Sequence, residues 1–421
     1  MAARDGLMTD PRSRRAAVGD RFPVGVNYWP RRKAMGWWKA FDPSEVADEL
    51  DVIADIGLTI VRIFMLWEDV QPTPDRVSEP VLRDLETVAD LAAERGLGLD
   101  VTFFTGHMSG PNWAPPWLLG GDRPVPGGRQ VVSGANEDAG PYRDLFTDPQ
   151  AVTAGRLLAG TVAKRMSGHP ALWAWNLGNE PDLFSLPPDS EAAPRWARAM
   201  VEAIRTHDDR TPVTIGLHLD SLLADNGLRV DRMFRDCDLG VMHAYPLYVD
   251  LATGPTDPDL VPFAVALTAS LAGMPVLAEE LGGCTVRPGE PTQPWEWEAL
   301  GRTWSQLMLS EEDLAAYVEA VLPRLVEVGA LGALLWCFAD YHPDLWTSPP
   351  CDTKLHERHF GLVRPDGSLK PHAEVVRRFV ASDPRVMEAP ARARIGIGGD
   401  AFYADPRGNL PGLYETFRRR G

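Results

Sequence analysis

The chain is predicted to fold as α/β, a (β/α)8 TIM barrel in which eight parallel strands close on themselves inside a ring of helices. Three observations predict it. Short apolar runs alternate with amphipathic helical patterns from about residue 21 to 382, and the runs number eight. No GxGxxG loop follows the first of them, as it normally would in a doubly wound sheet; the first turn reads NYWPRRKAMGWW.

The first strand is RFPVGVN, leading into Tyr28 and Trp29. A helix over 42–57 has Asp42 as cap, Pro43 in its first turn and Gly57 as its stop, and 58–67 (LTIVRIFMLW) is a buried strand. A helix over 79–95 closed by Gly96 leads to a strand ending near Gly106. The Gly- and Pro-rich stretch 106–148 is too long for a simple connection and is expected to be an insertion on the active face. A helix over 149–166, a strand over 171–180, a helix over 190–206 and a strand over 211–218 follow. Two weaker strands, 238–246 and 274–282, flank an Ala-rich helix over about 259–272. A helix over 311–330, the eighth strand over 331–340 and a closing helix over 370–381 complete the barrel. Residues 1–20 are expected to be a flexible lead-in, and 383–421 an extension packed on the barrel.

Length alone, 421 residues, suits two or three domains, but the unbroken rhythm makes one barrel of 21–382. The net charge of -17 has the wrong sign for tracking nucleic acid or an anionic membrane and favours a neutral partner. Cys237, Cys284, Cys337 and Cys351 lack metal-ligand spacing, so neither a structural metal nor a cofactor is expected. The N-terminal stretch has no apolar signal region, and no run is apolar enough to span a bilayer, so a cytoplasmic location is expected. Fourteen Trp exceed what a core needs and suit the flat walls of a binding site.

In a barrel the chemistry sits where strands finish. Arg62 lies in the second strand, His107 follows the third, Asn179 and Glu180 end the fourth, His243 and Tyr245 end the sixth, Glu280 ends the seventh and Trp336 closes the eighth. Two carboxylates 100 positions apart, on strands that are not neighbours, suit glycosidic hydrolysis: one protonates the leaving oxygen and needs a raised pKa, the other stays ionised. A strand-end Glu can equally cap a helix or pair with an Arg. Glu279 competes with Glu280, and strand alternation sends the two to opposite sides, leaving Glu279 to fix the rear of the strand. Arg62 in an apolar strand requires a partner, because a lone buried guanidinium is very costly.

LGNEP, PVLAEELG, VRIF, HAYP and LLWCF together resemble glycoside hydrolase family 5, within the retaining β-glycosidases of clan A, over about residues 22–381. The resemblance implies Glu180 as general acid/base, Glu280 rather than Glu279 as nucleophile, and Asn179 on the sugar 2-hydroxyl. It implies Arg62, His243, Tyr245 and Trp336 as the remaining site residues, with His107 at a sugar-contacting position. Leu281 departs from the aromatic often found after the nucleophile. GVNYWP, FDPSEV, GHMSG and LFTDP are similar to subgroups acting as exo-type β-mannosidases on short mannosides. A β-glucan or cello-oligosaccharide hydrolase, an endo-mannanase and a noncatalytic carbohydrate-binding barrel are the alternatives; two intact carboxylates argue against the last. Trp29, Trp67, Trp113 and Trp346, with Trp336, are expected to contact the neutral glycoside, while about half of the loop Trp staple loops to the barrel.

Overall fold

The computed structural model describes residues 20–420; most of the predicted lead-in lies outside them. Eight parallel strands form one sheet: β1 (Val24–Tyr28), β2 (Ile60–Leu66), β3 (Gly98–Thr105), β4 (Leu172–Asn179), β5 (Val213–Gly216), β6 (Gly240–His243), β7 (Val276–Gly282) and β8 (Ala333–Trp336). Their order is β5-β4-β3-β2-β1-β8-β7-β6. The two ends meet: Asp238 N donates to Val213 O at 2.9 Å and His243 N to Leu217 O at 2.9 Å, which closes the (β/α)8 barrel.

The helices begin where their caps stand. For α1 (Pro43–Ile56), Asp42 accepts from Ser44 N at 3.0 Å, and Gly57 ends the helix at φ 91°, a conformation that penalises a Cβ. Ser78 caps α2 (Glu79–Glu94), Asp148 caps α3 (Pro149–Met166) and Ser310 caps the helix Glu311–Glu327. Between β5 and β6 stand two four-residue helices, Asp220–Leu223 and Val230–Met233, where the sequence shows no helical run. The end of the chain forms two helices, Gly399–Ala404 and Pro406–Arg420. They lie against the outside of the barrel: Tyr403 donates to Ser221 O at 2.7 Å, Tyr414 donates to Asp257 at 2.7 Å, and Phe263 packs on Tyr414.

Two features shape the upper face. The insertion carries a small parallel pair, Asn112–Trp113 with Val131–Val132. After β7, an antiparallel hairpin of Gln293–Ala299 and Arg302–Met308 turns at Leu300 and Gly301, both at positive φ. The alternating PWEWEA marks its first strand, but Leu-Gly replaces the Asn-Gly that normally betrays such a turn.

Candidate active site

The interior of the barrel is polar beneath its upper end. Arg62 on β2 is fully buried and all its donor nitrogens are engaged. Nε donates to Thr102 at 2.9 Å, Nη1 to Glu280 at 2.7 Å and to Asn27 at 3.1 Å, and Nη2 to Asn179 at 3.1 Å, with Glu279 at 3.3 Å. Gly216 on β5 makes room: a Cβ there would stand 2.8 Å from Nη2 and 2.6 Å from Gly178 O. The predicted need of Arg62 for a partner is met by two carboxylates.

Glu279 and Glu280 both face inward, against the expected alternation. Met242 pairs with Ala278 but His243 pairs with Glu280, so Glu279 is an extra residue in the ladder. This bulge turns both side chains to one side. Glu280 faces the cavity, accepting from Arg62 and from Tyr245 Oη at 2.7 Å. Glu279, wholly buried, accepts from Asn176 at 2.8 Å and lies 2.9 Å from His243 Nε2. The other ring nitrogen, Nδ1, lies 3.0 Å from Glu180. Atoms of Glu180, His243 and Glu280 come within 4.8 Å of one another. Glu180 takes the left-handed conformation, φ 45° and ψ 58°, a strained backbone for a residue with a Cβ, between β4 and the turn Pro181–Phe184.

Burial disfavours charge on His243, but Glu280, Glu180 and Glu279 override it and raise its pKa to about 9. His218 likewise rises to about 10 against burial, through Asp182, 2.8 Å away, and Glu180. The raised pKa that a proton donor needs falls on Glu280 rather than on Glu180. Burial would raise the Glu180 pKa, but the His218 and His243 cations hold it below the usual range. Burial and the Glu180 charge raise Glu280, while His243, Arg62 and Tyr245 favour its ionised form. Across the 3.0 Å contact the shared proton is favoured on His243 over Glu180. Among the described residues two clusters have metal-ligand spacing, Glu180 with His243 and Glu280, and Asp182 with His218 and Asp220; the raised pKa of each histidine means that a metal would compete with its proton, in one case beside Arg62.

Asp100 escaped the sequence reading. It pairs in register with Arg62, and burial together with Glu279 drives its pKa well up, favouring its neutral form, against the pull of Arg62. A lone acid in an apolar strand, GLDVTFF, was its signal. His218 carried no comparable sign, because its neighbour Asp182 is distant in sequence.

Glu180 and Glu280 open into a cavity of about 590 Å³, with Asn179, His107, Tyr245 and Trp336 in its wall. A second cavity, about 670 Å³, opens near the opposite strand ends against Phe22, Trp173 and Val380, away from the carboxylate pair. Four predicted sugar-contacting Trp are misplaced. Trp29 is buried with its ring stacked on Phe64 at 5.0 Å; Trp67 is buried against Phe104 and Trp117. Trp113 donates to Met108 O at 3.3 Å and Trp346 to Tyr341 O at 3.0 Å, so both hold loops rather than line the cavity. In their place the hairpin contributes Trp297 and Trp304.

No protein-family model and no curated protein matches the chain. Solved structures do. An exo-β-1,4-mannosidase of the Opitutaceae bacterium strain TAV5 superposes with a TM-score of 0.69 at 27% identity over 87% of this chain. This chain spans 61% of that protein's length. The GH5_18 protein of Streptomyces cattleya, solved with GlcNAc, gives 0.76 at 23% identity, covering 95% of this chain and 91% of that one. A GH5_18 variant from Bifidobacterium longum subsp. longum ATCC 55813, in complex with Manβ1-4GlcNAc, gives 0.70 at 19% identity, covering 88% and 80%. The chain shares its fold with these solved structures. Among the described residues, no helix is long and apolar enough to cross a membrane.

Proposed function

We propose that the chain is a retaining β-glycosidase that removes β-mannosyl residues from the ends of short mannosides. The observation that carries this reading is the placement of Glu180 and Glu280, with atoms within 4.8 Å of each other at the floor of one cavity. So close an approach falls short of the roughly 6.5–9.5 Å that inversion uses to hold its water and supports the closer pairing, about 5 Å, of double displacement.

In the first step Glu280 attacks the anomeric carbon and the bond to the leaving oxygen breaks. Arg62 and Tyr245 orient the attacking carboxylate. The leaving oxygen takes a proton that Glu180 has received from His243 across 3.0 Å, which leaves Glu180 ionised for the second step. A sugar in the cavity displaces water and favours the neutral form of Glu180, so the proton moves along this hydrogen bond as the glycoside binds. In the second step Glu180 takes a proton from water, the water oxygen bonds to the anomeric carbon, and Glu280 departs. Asn179, anchored by Arg62 and by its own bond to His107 O at 3.2 Å, is positioned for the 2-hydroxyl. Trp336 offers a flat wall beside the glycon.

Mannose as the glycon is supported by the 27%-identical exo-mannosidase, and end-on attack by the insertion and hairpin that border the cavity. The test is hydrolysis of aryl β-mannoside followed by NMR of the first-formed anomer, with trapping by 2-deoxy-2-fluoro-β-mannosyl fluoride. β-Mannose and a label on Glu280 are expected. α-Mannose as first product, or full activity in both Glu180→Ala and Glu280→Ala, would overturn the mechanism.

A further inference from the structure

The outer wall of the cavity carries more positive charge than a neutral sugar needs. Arg129 comes from the insertion, Arg302 from the hairpin turn and Lys354 from the connection after β8. Elements far apart in sequence thus bring three cations to one rim. Two lie against the same indole: Arg302 Cζ is 3.7 Å and Lys354 Nζ 3.1 Å from the centre of the Trp304 ring. Trp304 is itself fixed by its cross-strand partner Trp297, stacked at 12°. The Lys354 stem passes over Gly110, where a Cβ would come within 2.7 Å of it.

Like charges held together need a reason. Among the described residues no carboxylate oxygen comes within 4.0 Å of a charged nitrogen of any of the three. Glu357, a carboxylate of the same wall, lies 3.4 Å from His356, and Asp220 groups with His218 and Asp182. Burial and then Arg302 lower the Lys354 pKa to about 8; Glu357 opposes them and Arg129 adds to them, so the one carboxylate acting on this ammonium does not offset its burial and the neighbouring cations. An anion entering this rim would relieve that repulsion.

In the proposed reaction the glycon sits against Glu280 and Trp336, so the leaving group points outward, towards the rim. We infer that Arg129, Arg302 and Lys354 form a subsite for an anionic group on the aglycone, a carboxylate or a phosphate, making acidic β-mannosides the preferred substrates. This rests on the proposed glycosidase activity and adds the class of leaving group to it.

The test compares three disaccharides that differ at one carbon of the aglycone: mannosyl-β-1,4-glucose, mannosyl-β-1,4-glucuronate and mannosyl-β-1,4-glucose 6-phosphate. Mannose release is measured for the natural chain, Arg302→Gln, Lys354→Gln and the double variant. The readout is the ratio of kcat/KM for acidic over neutral substrate, which cancels any loss common to both. A ratio of about ten is expected in low salt, falling severalfold at about 0.5 M salt and approaching one in the double variant. The larger of the two acidic ratios distinguishes a uronate from a phosphorylated sugar. Arg302 is exposed on a turn, so its variant reads the effect even if Lys354→Gln disturbs the loop. A ratio at or below one in the natural chain, or one that the variants leave unchanged, overturns the subsite while the glycosidase reading stands. Failure to cleave any of the three, together with failure on the aryl β-mannoside, removes both.

Discussion

Replacing Glu279 by Gln removes a buried negative charge while keeping the side chain's shape. Glu279 lies 2.9 Å from His243 Nε2 and 3.3 Å from Arg62 Nη2, and Gln can still accept one hydrogen bond there. His243 holds its proton to about pH 9 because three carboxylates outweigh its burial. An opposite charge at such range shifts a pKa by about one to three units, so losing one of three should lower that of His243 by about one unit, or about 1.4 kcal/mol. The alkaline limb of kcat/KM, which reports loss of the proton shared by His243 and Glu180, should therefore move down by about one unit. Linkage gives a second readout. A His with a raised folded pKa stabilises the fold fully below its unfolded value, about 6.5, and this contribution is lost as pH rises to about 9. The variant should lose part of that stability at pH 6 and show a flatter stability profile from 6.5 to 9. The assay is a pH series with aryl β-mannoside beside denaturant titrations at the same pH values. An alkaline limb that stays in place in a folded Glu279→Gln protein would refute the charge-coupled proton pair.

His218→Asn should move the same limb the other way: without the nearby cation Glu180 holds its proton more tightly, so activity should persist to higher pH, read in the same series. Tyr245→Phe deletes the 2.7 Å bond to Glu280 and should lower kcat about ten- to a hundredfold with KM little changed, measured by steady-state kinetics. Trp29→Phe should cost about 1 to 3 kcal/mol of stability in denaturant titration and leave KM unchanged, because the ring packs on Phe64 away from the cavity.

The elements that hold the site were legible because they are local. A capping Asp42, a stop at Gly57 and apolar periodicity fix helix bounds, and predicted and observed helices agree within one to three residues at each end. Arg62, Glu180 and Glu280 were conspicuous as charge inside apolar strands, which a fold tolerates only when it is paired. The hairpin was hidden by its unusual turn, and the loop Trp could not be sorted, since an indole that staples a loop and one that faces a sugar have the same composition around them.

The sequence by itself determined the barrel, the inward polar positions and the pair of carboxylates, because periodicity and buried charge are properties of neighbouring residues. The tertiary structure decided what those groups can do. A single extra residue in β7 puts Glu279 beside Glu280, and His218 and His243 hold the Glu180 pKa down while burial and Glu180 raise that of Glu280. The net charge of -17 favours a neutral ligand, yet Arg129, Arg302 and Lys354 converge on one rim. Net charge sums over the chain, whereas binding and proton affinity depend on charges within a few ångströms, and only folding sets those distances.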